Sequence, residues 1–333
     1  MPNDSDLEHL QSAFAAIRDQ LAKAVVSQDA VVEQMMIALL AQGHCLYEGP
    51  AGAAKSLAAA SLARVLGLQF DRVRCTAELS PHDVVGLGAA PTGTTEVPGP
   101  IFANIVLVDD FARLPASTDA LIQQAIQENR IVLDGRRHGL PEPFMILATR
   151  YPEVDAADSI VEHHDDRFMM KIAVAYPAYD EEFALADKPA APEPVDLEQV
   201  IAKKDVATFR QVTSLIEAPP HVIHYALRLV RATRIHEGET PDFSYEWVDF
   251  GAGPRAAHYM TLAARIRAGL YGREEATADD IKAVAHPILR HRIITNSNAR
   301  STGVTVDRVI RRLLYEIEER QDGDEQRPVD LSD

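Results

Sequence analysis

Apolar residues recur at helical spacing at Leu10, Phe14, Ile17, Leu21 and Val25, which places them on one face of a helix. Val26-Ser27-Gln28-Asp29 interrupts that face, with Ser27 as the expected N-cap, and a second helix is predicted from Ala30 to Leu40. The pattern then changes. Short apolar runs occur at Cys45-Leu46-Tyr47, Leu68 to Val73, Ile105 to Val108, Phe144 to Thr149 and Lys171 to Tyr176, the last stopped by Pro177. They read as strands, and Ile105 to Val108 has the continuous apolar content of one buried on both faces. Leu57 to Leu66, stopped by Gly67, and Ala116 to Arg130 read as helices between them, and Ile131 to Gly135 opens a hairpin. Strands alternating with helices predict an α/β fold with a parallel sheet. Ser80 to Pro100, rich in Gly, Pro and Thr, reads as a long loop or a loop with a small hairpin. Beyond it all, the patterns are helical: Leu197 to Lys204, Val206 to Glu217, Pro220 to His236, Gly253 to Tyr271, Ala278 to His286 and Thr305 to Glu319.

This change of pattern, with three prolines between Ala186 and Pro194, predicts two domains in the 333 residues. An α/β domain covers 1–185, a semi-rigid linker 186–194, a helical domain 195–320, and an acidic tail expected to be disordered 321–333. The net charge of -17 argues against broad contact with nucleic acid. Cys45 and Cys75 lack metal-ligand spacing and read as buried thiols in a reducing compartment. No apolar run reaches membrane-spanning length, and Met1 to Asp6 is polar rather than signal-like. The expectation is a cytoplasmic protein.

The candidate chemistry lies after the first strand. Glu48-Gly49-Pro50-Ala51-Gly52-Ala53-Ala54-Lys55-Ser56 is a small-residue loop between strand and helix, the layout of a phosphate-binding P-loop. Backbone N–H groups of Gly49, Gly52, Ala53, Ala54 and the start of the helix through Leu57 would curl around phosphates at its positive end. Lys55 would reach the β- and γ-phosphates and Ser56 would offer its hydroxyl to Mg²⁺. The acidic end of the later strand, Asp109-Asp110, lies where open α/β sheets hold ligands, and Asp109 is the natural Mg²⁺ partner. Glu162 to Asp166 contains metal-ligand residue types but reads as a polar surface helix. His286, Arg290, His291 and Arg292 read as a basic cluster at a helix end that packs the helical domain or meets a neighbouring subunit.

The order of these pieces resembles the MoxR branch of the AAA+ ATPases. Gly43-His44-Cys45-Leu46-Tyr47-Glu48-Gly49 leads into Ala54-Lys55-Ser56 as in that family, where Ala before the Lys is usual. Gly99 to Asn104, Leu140-Pro141-Glu142-Pro143-Phe144, Asp166-Arg167-Phe168, Gly251 to Ala256 and Leu289-Arg290-His291-Arg292 are further matches in the family's order. The resemblance implies an αβα nucleotide-binding domain and an all-α lid, ATP and Mg²⁺ between them, and a homo-oligomeric ring, often a hexamer. It also implies that Arg255 is similar to the sensor-2 arginine. Arg167 would be an arginine finger, or else an ion-pair partner of Asp165 or Asp166.

Departures from the family fall on the hydrolytic side. Asp110 stands where the water-orienting glutamate is usual, and Tyr151 where the sensor-1 asparagine is usual. A displacement of about 1 Å at a reacting centre costs roughly a hundredfold in rate. The implied function is ATP-dependent, chaperone-like remodelling or assembly of protein partners with slow hydrolysis, and a von Willebrand factor A-domain protein is the implied partner. The alternative is a non-hydrolysing scaffold. The loop at 80–100 is the expected partner contact.

Overall fold

The computed structural model describes residues 2–25, 29–50, 52–86, 98–150, 165–176, 178–187, 195–235, 237 and 240–317. Helices α1 (Asp4–Ala24) and α2 (Asp29–Leu40) precede β1 (Cys45–Glu48), α3 (Lys55–Val65) and β2 (Phe70–Arg74). Then follow α4 (Pro81–Val85), β3 (Ile105–Asp109), α5 (Ala116–Glu128), the hairpin β4 (Arg130–Leu133) and β5 (Arg136–Gly139), β6 (Met145–Arg150), β7 (Met170–Ala173) and α6 (Tyr179–Ala186). The expected parallel sheet is present, with strand order β2-β3-β6-β1-β7. Alternation along its strands builds two cores. Ile105, Leu107, Met145 and Leu147 face one side; Val106, Val108, Ile146 and Ala148 face the other. Burial stops at the C-terminal ends of β3 and β6, where Asp109 and Arg150 become partly exposed.

The second part contains α7 (Lys203–Ser214), α8 (Pro220–Arg231), α9 (Asp242–Trp247), β8 (Val248–Phe250), α10 (Pro254–Leu270), α11 (Ala278–Leu289), β9 (Ile294–Thr295), α12 (Ser297–Ser301) and α13 (Val306–Glu316). It is helical with one small antiparallel ribbon, β8 against β9, which the helical patterning did not foretell. Its packing is anchored by Asp280, a fully buried carboxylate that receives Arg267, Arg273 and the cap of α11. Burial pushes this carboxyl up, but those donors outweigh it and hold it below the ordinary range.

Three expectations change. Within 80–100, α4 is a short helix, closed by reciprocal bonds between Ser80 and Asp83; residues 87–97 lie outside the described part. Leu197 to Ala202 is not helical, and Lys203 and Lys204 open α7. Leu197 and Ile201 are two buried anchors of a non-helical segment whose Val200 N–H donates to the Val65 carbonyl at 2.8 Å, so a spacing of four imitates a helix. The N-terminal helices pack on more than the α/β part. Arg267 of α10 donates to Glu33 of α2 at 2.8 Å, Arg210 of α7 donates to the Leu39 carbonyl, and one core runs from α1 through α3 to α10. The N-cap assigned to Ser27, most of the 186–194 linker and the 321–333 tail also lie outside the described residues. Cys45 and Cys75 are buried and unbridged as expected.

Candidate nucleotide-binding site

The loop after β1 is shaped by what surrounds it. A side chain at Gly49 would meet the Val174 carbonyl at 2.9 Å, so only glycine passes there. Gly52 has φ +83° and Ala54 has φ +54°, both in the left-handed region. For Ala54 this costs about 1 kcal/mol. The turn aims the first N–H groups of α3 at the loop, and Ala54 provides no side-chain cap for them. That is the donor arrangement an anion fills.

Lys55 is 8% exposed, and its Nζ donates to the carbonyls of Gly49 at 2.6 Å and Pro50 at 2.8 Å. Burial lowers its pKa, and the charge of Asp109 opposes that shift. Ser56 is half-buried, Ala53 packs against the core, and Leu57 points outward, 47% exposed.

At the same C-terminal end of the sheet, Asp109 ends β3. Its Oδ1 accepts from the Thr149 hydroxyl at 2.7 Å and its Oδ2 from the Arg72 guanidinium. Burial pushes the Asp109 carboxyl up, yet the bonds from Arg72 and Thr149 and the charges of Arg72 and Lys55 hold it below its ordinary value. Thr149 also accepts the Asp110 N–H at 2.9 Å, so one buried hydroxyl fixes both acids. Asp110 sits at φ +63°, and its carboxylate lies 3.5 Å from Arg113. Neither Thr149 nor Arg72 was singled out from the sequence. The signal for both was register. In a parallel sheet Ala148 pairs with Val108 and Arg74 with Asp109, which brings Thr149 and the β2 arginines to the acidic end. Tyr151, the expected sensor-1 position, lies outside the described residues.

The donor set fits a magnesium nucleotide: a hydroxyl and a carboxylate suit a hard divalent cation, and the uncapped α3 terminus with Lys55 suits phosphates. When bound, the cation would neutralise phosphate charge.

A second cluster joins the helical part to the segment before β7. Asp166 accepts from both Arg255, at the start of α10, and Arg292 at 2.8 Å. Arg292 is 6% exposed and also donates to the carbonyls of Asp166, Phe168, Met169 and Ile288. Burial lowers its pKa, and the Asp166 carboxylate works against that shift. Its neighbour His291 bonds the Phe168 carbonyl at 3.0 Å and Arg290 the Lys171 carbonyl at 3.1 Å. Of the two readings of this basic cluster, these contacts are those of lid packing. Asp165 is buried in a two-pronged pair with Arg150, at 2.7 and 3.1 Å, which corrects the surface-helix reading at that residue; Glu162 to His164 lie outside the described residues. Both ion-pair partners considered for Arg167 are thus taken by other arginines, and its Nη1 is buried without a hydrogen bond among the described residues. The structure brings Lys55, Ser56 and Asp109 to the C-terminal end of the sheet, and turns Arg255 toward Asp166.

Among the described residues, no helix is long and apolar enough to cross a membrane. Residues 44–170 match the ATPase family associated with various cellular activities (AAA), and residues 246–313 match the AAA lid domain. The chain is 32% identical over 302 residues to Chaperone MoxR1 of Mycobacterium tuberculosis, covering 90% of this chain and 80% of that one. It is 26% identical to Protein MoxR of Methylorubrum extorquens, covering 88% and 90%. A crystal structure of a protein from Cytophaga hutchinsonii, named as an ATPase, superposes with a TM-score of 0.85 at 27% identity over 95% of this chain and 98% of that one. With an AAA domain, its lid and these relatives in register, the chain belongs to the MoxR family of AAA+ ATPases.

Proposed function

We propose that this chain binds ATP with Mg²⁺ at the loop 49–57 and Asp109, hydrolyses it slowly, and uses the bound state to remodel or assemble protein partners. The observation that carries the reading is a split in the site. The binding side is supported by an α3 terminus without a side-chain cap, Lys55 at the loop, and Asp109 beside Thr149. The hydrolytic side is altered: Asp110 is one methylene shorter than the family's glutamate, and its carboxylate lies beside Arg113. Arg255 is the lid residue that would turn from Asp166 to the phosphates, and Arg167 the one offered to a neighbouring subunit. Residues 1–185 would form the nucleotide-binding unit and 195–320 the lid. The assembly is a homo-oligomeric ring, a hexamer in this reading. Its partner class is a von Willebrand factor A-domain protein. The family relative named a chaperone supports the choice of protein partners.

Equilibrium binding and steady-state hydrolysis on the purified chain test this, with Lys55→Ala as control. Binding at micromolar ATP with slow turnover, both lost in Lys55→Ala, is the expected outcome. Turnover at the rate of vigorous AAA+ rings would remove the slow-hydrolysis part. The second reading is a non-hydrolysing scaffold. It draws on the internal satisfaction of the site, where Lys55 rests on two carbonyls and both Asp109 oxygens have donors. Absence of ATP binding would favour it.

A further inference from the structure

We propose that Arg72 is a built-in competitor for the divalent cation at Asp109, so that cation enters only with nucleotide. This rests on the reading of the site as a magnesium-nucleotide site. Arg72 lies on β2, the edge strand of the sheet, in register with Leu107 and two residues before Arg74, the strand partner of Asp109. Its guanidinium reaches along the strand to Oδ2 of Asp109. The other oxygen, Oδ1, is held by the buried Thr149 hydroxyl. A neutral hydroxyl leaves lone pairs free for a cation; a guanidinium on the second oxygen brings a like charge to the same place. Arg72 is the exchangeable member of the two. Its side chain is 36% exposed, so the guanidinium has water as an alternative partner and can leave Asp109 without disturbing the fold.

The charge around Asp109 favours the same order of events. The Arg72 guanidinium, bonded to Oδ2, already compensates its charge before any ligand arrives. A free divalent cation gains little there. Nucleotide phosphates would draw Lys55 from the Gly49 and Pro50 carbonyls, and the accompanying cation would displace Arg72 from Asp109. Arg72 is in this account a positioning residue. It sets how strongly cation and nucleotide binding depend on each other.

The test is affinity for a fluorescent ATP analogue, in Mg²⁺ and in EDTA, for the full chain and for Arg72→Gln. Arg74→Gln removes an equal charge from the same strand without the bond to Asp109. Arg72→Gln is expected to tighten binding in Mg²⁺ by about fivefold and to leave binding in EDTA within about twofold. Arg74→Gln should change neither by more than about twofold. Weaker Mg²⁺-dependent binding in Arg72→Gln, with binding in EDTA intact, would overturn the proposal and make Arg72 a support for Asp109. Equal tightening in both variants would also overturn it, since general charge would then explain the effect. If Arg72→Gln loses its circular dichroism signal, Arg72→Lys serves instead, with a smaller shift in the same direction expected. If the wild-type chain binds no nucleotide under either condition, the reading of the site has failed. Competition by Arg72 then stands only if Arg72→Gln restores binding, and falls if it does not.

Discussion

Two arginine-rich regions of this molecule behave in opposite ways. At the lid junction Arg292 is buried, bonded to Asp166 and four backbone carbonyls, and flanked by His291 and Arg290 on the same segment. At the phosphate loop the basic groups are held by replaceable partners: Lys55 by two loop carbonyls, Arg72 by one carboxylate at a partly exposed edge. A buried arginine whose donors are shared among five acceptors has no cheap alternative state. A partly exposed arginine has one in water. The junction is therefore a fixed joint, and in the proposed reading the loop is a site whose own residues stand in for ligand. Arg255 lies at the junction, where it shares Asp166 with Arg292, yet it is half exposed. In the proposed function it would let go of Asp166 while Arg292 keeps hold.

Removing the joint should have the largest effect. Arg292→Ala leaves carbonyls of the Asp166–Met169 segment without their buried donor and is expected to cost about 3 kcal/mol or more in urea unfolding. Arg255→Ala, which removes only the exposed share of Asp166, should cost under about 1 kcal/mol. Equal costs would erase the contrast between joint and site.

Acid acts on the fixed side as well. Burial pushes His44 down from 6.5 to about 4, so the fold holds it neutral, with Nδ1 accepting the Ile146 N–H. The unfolded chain protonates first as pH falls. Stability tied to His44 is therefore whole above pH 6.5, declines below it, and is lost by about pH 4. The change amounts to about 3 kcal/mol. His291, also held well below its ordinary value by burial, adds in the same direction. Urea midpoints across this range should fall, and less steeply in His44→Gln.

On the exchangeable side, Lys55→Ala should reduce ATP affinity by roughly a hundredfold while the thermal midpoint stays near that of the parent chain, because the Gly49 and Pro50 carbonyls it leaves lie in the loop. A large loss of stability would show that Lys55 is structural. The smallest effect is expected at Ala54. Its left-handed backbone favours glycine, so Ala54→Gly should stabilise by up to about 1 kcal/mol in thermal unfolding.

Much of this was legible in the sequence because it rests on local pattern. The period change at residue 45 marked the sheet, and the order strand, small-residue loop, Lys-Ser, helix marked the phosphate loop. What escaped depends on register or on distant anchors. Thr149 and Arg72 come to Asp109 only once β2, β3 and β6 are aligned side by side. Leu197 and Ile201 imitate a helix because each fills a place in a core built by other elements. The carboxylate cluster at 165–166 read as surface because its partners, Arg150, Arg255 and Arg292, lie up to 126 residues away in the chain.

The most direct test of the account is single-turnover hydrolysis of bound ATP, compared between the parent chain and Asp110→Glu at saturating protein. ATP affinity is expected to be equal in the two, with slow hydrolysis in the parent and a rate at least about tenfold higher in Asp110→Glu, since the longer arm restores the reach toward a water. A parent chain that hydrolyses as fast as Asp110→Glu would contradict it.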